Sequence, residues 1–266
     1  MTDTILSSYK QQYSETPIYF NAFSIKKTGI ITNQSTLHIE DYVLTCVPYQ
    51  LTMVGAQVLG ILSAKEAAFF GKYTNSLCSI QLTYQASDQP DPINLFLRST
   101  LSKVEKLPNK EHVCIFEVKF RNTPNDLIRL VGDYLATLDS LKKQFDQLKD
   151  KSIKMDKQAI KTIGYNNYFE AALPKGKIRA KVLLLSVQKL LLAFSPKFPV
   201  PQEGEDFSAS IYFQSYQFTL NGKAQSVTQL QNGFYKVDYF IEFSPELVEI
   251  IDNFFFTLRF QNEKKE

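Results

Sequence analysis

The chain is expected to be mainly β with α. Two small antiparallel barrels or strongly bent sheets should each be followed by an amphipathic helix, with a long connecting helix. Three observations predict this. Aromatic residues are abundant, with 21 Phe and 14 Tyr among 266 residues, and aromatics pack well on pleated faces. One order of signals occurs twice along the chain. A heptad stripe separates the two copies.

The first copy runs GILSAKEAAFF, SIQLTYQ, HVCIFEVKFRNTPNDLIRLVGDYL, and the second LLLSVQKLLLAF, SASIYFQ, YKVDYFIEFSPELVEIIDNFF. Each starts with a Leu-Ser turn, Leu62-Ser63 or Leu185-Ser186. Each ends in a strand closing on Phe120 or Phe243, a proline (Pro124 or Pro245) and a helix. Leu127, Leu130, Val131 and Tyr134 match Leu247, Ile250, Ile251 and Phe254.

In the first half, strands are expected near 42–53, 77–85, 94–105 and 111–121. Turns are expected at Asp88-Gln89-Pro90-Asp91-Pro92 and Leu107-Pro108-Asn109-Lys110. In the second half, Asn221-Gly222 is the pattern of a tight hairpin, whose turn favours positive φ. Gln231-Asn232-Gly233 marks a second turn before Phe234–Phe243. KIRAKVLLL and KLLLAF supply two further strands.

Both helix starts follow one logic. Thr123-Pro124-Asn125-Asp126 and Ser244-Pro245-Glu246 place a hydroxyl at the N-cap, proline at the first helical position and an acid in the first turn. From there Leu127, Val131, Tyr134, Leu138, Leu141, Phe145 and Leu148 are spaced alternately by 4 and 3, a coiled-coil stripe. It packs either on its own domain or on another copy, and a homodimer would use Leu138, Leu141, Phe145 and Leu148. The charged segment DKSIKMDKQAIKTIG reads as a linker. The expected division is 1–123, an N-terminal barrel; 124–163, helix and linker; and 164–266, a C-terminal barrel with its closing helix.

Several function classes are excluded by composition and motif. A net charge of +3, with no basic block apart from the KKE end, does not predict nucleic-acid binding. The apolar run Val182–Phe194 has 13 residues and contains Lys189, whereas a spanning helix needs roughly 20. The N-terminus has no signal-peptide pattern, so no membrane span and a cytoplasmic location are expected. Cys46, Cys78 and Cys114 read as reduced core thiols. His38 and His112 are far apart, and His112 falls in an alternating strand pattern. No HExxH, CxxC, GxSxG or phosphate-cradling loop occurs. Neither an enzyme nor a metal or cofactor site is predicted.

The order of basic segment, strand, Ser-containing turn, apolar strand, meander and closing helix resembles the PilZ family. RAKVLLLSVQKLLLAF sits where that family has its strand–DxSxxG–strand element. The resemblance covers about 165–260 and, more faintly, the first half, similar to the tandem two-domain PilZ proteins of spirochaetes. It implies two six-stranded antiparallel barrels and a place in signalling by cyclic di-GMP. The family binds that nucleotide through RxxxR and DxSxxG. Here the DxSxxG frame reads Leu184, Leu185, Ser186, Val187, Gln188, Lys189, and in the first copy it runs Ile61–Glu66. Only Ser186 and Ser63 fit. RxxxR is absent: the arginines are Arg98, Arg121, Arg129, Arg179 and Arg259. Lysine does not replace the flat guanidinium on a base.

The remaining candidate ligand contacts are Lys175, Lys177, Arg179, Ser186 and Lys189, with a solvated strand edge as the alternative for the first three. The resemblance implies a non-enzymatic adaptor working through protein partners, such as motility or pilus machinery, with the ligand motif largely lost. Two alternatives are a cyclic di-GMP receptor using non-standard residues and, from the aromatic content, a carrier of apolar ligands.

Overall fold

The computed structural model describes residues 2–86, 89–107, 110–213 and 217–263. The chain forms two compact units, Met1–Thr137 and Leu138–Glu266.

The first unit begins with helix α1 (Thr2–Tyr13), the short strand β1 (Ile18–Tyr19) and helix α2 (Ala22–Thr28). Then come β2 (Ser35–Ile39), β3 (Tyr42–Leu51), β4 (Gly55–Ile61), helix α3 (Ala64–Gly71), β5 (Leu77–Tyr84), β6 (Ile93–Lys106) and β7 (Val113–Phe120). The order β3-β2-β5-β6-β7-β4 closes because β4 also pairs with β3, with Val47 opposite Leu59. This is a closed six-stranded antiparallel barrel. Strict alternation fills it: Leu37, Ile80, Leu97 and Phe116 point inward and are fully buried. A barrel filled this way does not resemble the cavity of an apolar-ligand carrier.

Three local expectations change here. Ser63 does not sit in a turn between strands. Its hydroxyl accepts from the Glu66 N–H while the Glu66 carboxylate accepts from the Ser63 N–H, a capping box that starts α3. His112 is not a strand residue. It lies in the turn before β7 with φ +66°, and its carbonyl accepts from Leu62. Thr123 does not cap the next helix: that helix begins at Asn125 with the Pro124 carbonyl accepting from the Leu127 and Ile128 N–H groups, and the Thr123 hydroxyl donates to the Met53 carbonyl at 2.7 Å. The expected turns at Asp88 and at Pro108-Asn109 fall on residues outside those described.

Helix α4 (Asn125–Leu148) spans the boundary between the units. In the first unit Leu127 and Val131 are fully buried. Gly132 lies against the Tyr9 ring, where a Cβ would come within 2.0 Å of the ring.

The second unit continues through β8 (Ser152–Lys154), α5 (Lys157–Ile163), β9 (Tyr165–Leu173), β10 (Gly176–Arg179), β11 (Lys181–Ser186) and β12 (Lys189–Phe194). It ends with β13 (Asp206–Phe213), β14 (Gln217–Gln229), β15 (Tyr235–Ile241) and α6 (Pro245–Glu263). Its eight strands run β10-β9-β13-β14-β15-β12-β11-β8. Among the described residues this sheet is open, where a second six-stranded barrel was expected. Ser244 does cap α6, accepting from the Leu247 N–H at 3.3 Å.

The Asn221-Gly222 hairpin does not form. Both residues lie inside β14, with Asn221 opposite Ser208 and Gly222 opposite Phe207 on β13. The glycine serves close approach rather than a turn: a Cβ there would fall 1.9 Å from the Phe240 carbonyl oxygen and 2.7 Å from the Phe207 ring. The Gln231-Asn232-Gly233 turn forms as expected, with Gly233 at φ +79° and the Phe234 N–H donating to the Asn232 side chain.

Candidate functional site

Strands β9 and β10 place the basic candidates. In their antiparallel register Arg179 lies opposite Glu170 and Lys177 opposite Ala172. The Lys177 ammonium donates to Glu170 Oε1 at 2.9 Å, and Arg179 Nε lies 3.7 Å from Oε2. The Tyr168 hydroxyl donates to the same carboxylate at 3.1 Å. The Arg179 guanidinium stands 6.0 Å from the Tyr168 ring centre, and Tyr212 meets that ring edge-on at 4.9 Å. Hydrogen bonds from Lys177 and Tyr168 hold the Glu170 carboxyl below the usual carboxylate range. The carboxylate partly neutralises both cations, and all three charges are at the surface. Lys175 lies exposed in the turn between β9 and β10.

Ser186 is elsewhere and differently engaged. It is 2% exposed at the end of β11. Its Oγ accepts from the Lys189 N–H at 2.9 Å and from the Gln188 N–H at 3.2 Å. These bonds shape the turn between β11 and β12, which Leu184–Leu191 and Leu185–Leu190 pairs then close. Lys189 starts β12 opposite Phe240, with its side chain exposed. Val187, between them, is fully buried. Arg179 and Ser186 are seven residues apart along nearly continuous extended chain, roughly 20 Å. The structure therefore groups Lys177 with Arg179 and separates both from Ser186 and Lys189. The sequence reading missed the partners: Glu170, Tyr168 and Tyr212 carry no motif, and only the β9–β10 register brings them to the cations.

The stripe residues are largely used within the chain. Leu141 and Leu148 are buried, at 4% and 3% exposure. The Phe145 ring meets Phe243 edge-on at 5.6 Å, and Leu138 is half-buried.

No catalytic arrangement appears among the described residues. Cys46, Cys78 and Cys114 are free thiols. Burial pushes Cys46 up to about 12 and Cys78 to about 11, far from a reactive thiolate. No group of His, Cys, Asp and Glu among the described residues could hold a metal ion. No helix of the described residues is long and apolar enough to cross a membrane.

The PilZN3 domain model matches residues 4–137, half of the chain and nearly the whole first unit. Solved structures give fainter likenesses. The Borreliella burgdorferi PlzA protein in complex with c-di-GMP is 17% identical, with 96% of this chain and 100% of that chain covered and a TM-score of 0.47. The K. pneumonia MrkH–c-di-GMP complex is 8% identical (100% and 97% covered, TM-score 0.35). YcgR from Escherichia coli in complex with c-di-GMP is 11% identical (100% and 93% covered, TM-score 0.32). Curated protein sequences give no match. The resemblance read mainly from the second half is thus met in the first, where the model match coincides with the closed barrel. This chain belongs to the PilZ family, with a PilZN3 domain as its N-terminal half.

Proposed function

We propose that the protein is a non-enzymatic regulator of the cyclic di-GMP signalling class. It acts in the cytoplasm through contacts with a protein partner, of the kind that motility or pilus machinery would supply, and its own nucleotide motif no longer serves. One observation supports this above the others. Leu184 and Lys189 stand where the family motif has aspartate and glycine, and the remaining serine, Ser186, commits its hydroxyl to two backbone N–H groups of its own turn.

The energetics point the same way. A charge-assisted hydrogen bond is worth roughly 1.5–3 kcal/mol net, so losing both motif arginines removes at least about 3 kcal/mol. That is two orders of magnitude in affinity. Lys175, Lys177 and Arg179 are exposed, and two of them already face Glu170. Screened in this way, they do not restore recognition of guanine.

The test is calorimetric titration of the full chain with cyclic di-GMP at near-physiological salt. No saturable heat is expected with ligand on the order of tens of micromolar. A clear low-micromolar isotherm that Arg179→Ala abolishes would overturn the reading in favour of a receptor using non-standard residues.

A further inference from the structure

The outer wall of the closed barrel carries a second group of exposed cations. Strand β6 turns Phe96 and Arg98 outward, two residues apart, while Leu95, Leu97 and Ser99 face in. Just past the end of β7, the Arg121 N–H donates to the Arg98 carbonyl at 2.9 Å, so the two arginines are neighbours across the strands. On its other side Arg98 lies opposite Ser79 of β5, and Phe96 lies opposite Gln81. Phe96, Arg98, Arg121 and Asn122 line one cleft of about 440 Å³.

Three features of this cleft bear on what it could bind. Two like charges on adjacent strands repel and give the sheet nothing. No carboxylate is among the lining residues, and neither guanidinium makes a hydrogen bond or ion pair with any described residue. Beside them Phe96 is 58% exposed, and the His38 ring meets it edge-on at 6.1 Å. Each feature costs a little on its own. Together they form a recognised chemistry: guanidinium forks for phosphate oxygens, an aromatic face for a planar base, and an amide for a base edge.

We infer that this cleft on the PilZN3 barrel binds a small nucleotide, a single base carrying one or two phosphates, with Arg98 and Arg121 on the phosphate and Phe96 on the base. The cleft is within the size range of small-ligand sites, and it offers one stacking face rather than two. The site lies in the first unit and is independent of the reading of Ser186 and Arg179 above.

The experiment is titration of the ¹⁵N-labelled full chain with GMP, AMP and inorganic phosphate, read by amide shifts. Saturable shifts centred on the 94–98 and 120–122 segments are expected below about 5 mM nucleotide, with phosphate alone at least about tenfold weaker. Arg98→Gln and Arg121→Gln should each weaken nucleotide binding at least about tenfold, the loss of one charge-assisted bond. Both positions are exposed, so the remaining spectrum should be unchanged. Phe96→Ala should bring nucleotide affinity down towards that of phosphate. No saturable shift with either nucleotide, shifts that persist unaltered in both arginine variants, or phosphate binding as tightly as GMP and AMP would each overturn the assignment.

Discussion

Ser63 and Ser186 stand at the same place in the repeated order of signals, and the chain around them does different things. Ser63 ends β4 and starts helix α3 by a reciprocal cap with Glu66. Ser186 joins β11 to β12 and gathers the two N–H groups that follow it. The first unit inserts a helix at this point and closes its six strands into a barrel. The second makes a hairpin there and extends into an open eight-stranded ladder. A shared order of local signals thus leaves closure free. In the first unit the single strand β3 pairs with both β2 and β4 and so closes the ring; in the second the matching pairings, to β9 and to β12, fall on two separate strands, β10 and β11.

The sharpest way to break this comparison is Leu141→Asp. Leu141 is buried, and an unpaired carboxylate in such a place costs several kcal/mol, a large part of a domain's about 5–15 kcal/mol. Thermal unfolding should split, the second unit melting early while the closed barrel keeps its transition. If the variant stays folded and light scattering shows a wild-type dimer becoming a monomer, the stripe instead faces another copy.

Next in size is a pair of glycines. Gly222→Ala drives a Cβ against a backbone oxygen, which cannot move without opening the β14–β15 pairing. Gly60→Ala meets the Phe116 ring at 2.9 Å, a side chain that has some room to shift. Overpacking costs about 1–3 kcal/mol. Gly222→Ala should reach or pass the upper end and Gly60→Ala should stay near the lower, read as shifts in denaturant midpoint.

The two serines come third. Ser186→Ala leaves two N–H groups short of an acceptor at a buried position and should cost about 2 kcal/mol. Ser63→Ala removes an exposed cap and should cost about 1 kcal/mol or less. Equal losses would mean that the turn recruits water as readily as the helix end does.

The smallest effect is in acid. Hydrogen bonds from Ser63 lower the Glu66 carboxyl in the first unit, and those from Lys177 and Tyr168 lower Glu170 in the second. A lowered carboxyl adds stability at pH above its unfolded value, and that stability is lost as pH falls through the lower folded value. Glu66→Gln and Glu170→Gln should each flatten this acid limb in their own unit's melting temperature, and only there.

Much of the strand order was legible. Alternation marked β3, β5, β6 and β7, and Gln231-Asn232-Gly233 marked its turn. Asn221-Gly222 misled because a glycine that lets a carbonyl and an aromatic ring approach looks identical to one that permits positive φ. Ser63-Ala64-Lys65-Glu66 carried a capping-box spacing, but likeness to the Ser186 segment drew it towards a strand turn. Thr123 looked like a cap, but the helix starts at Asn125 with Pro124 in the cap position, and the Thr123 hydroxyl donates instead to Met53, remote in sequence. At the candidate site the cations were visible, but Glu170 was not, because antiparallel register sets that contact.

The short strand β8 gives the lost motif a different aspect. Ser152, Ile153 and Lys154 pair with Ser186, Leu185 and Leu184, so the strand that carries the motif frame has hydrogen-bonded neighbours on both sides. Any ligand that needed the free edge of β11 would compete with a tethered occupant, present at an effective concentration on the order of millimolar. Writing aspartate and glycine back at Leu184 and Lys189 would leave that occupant in place. A variant designed to carry the family motif at this frame would need the edge of β11 freed as well as the two side chains changed.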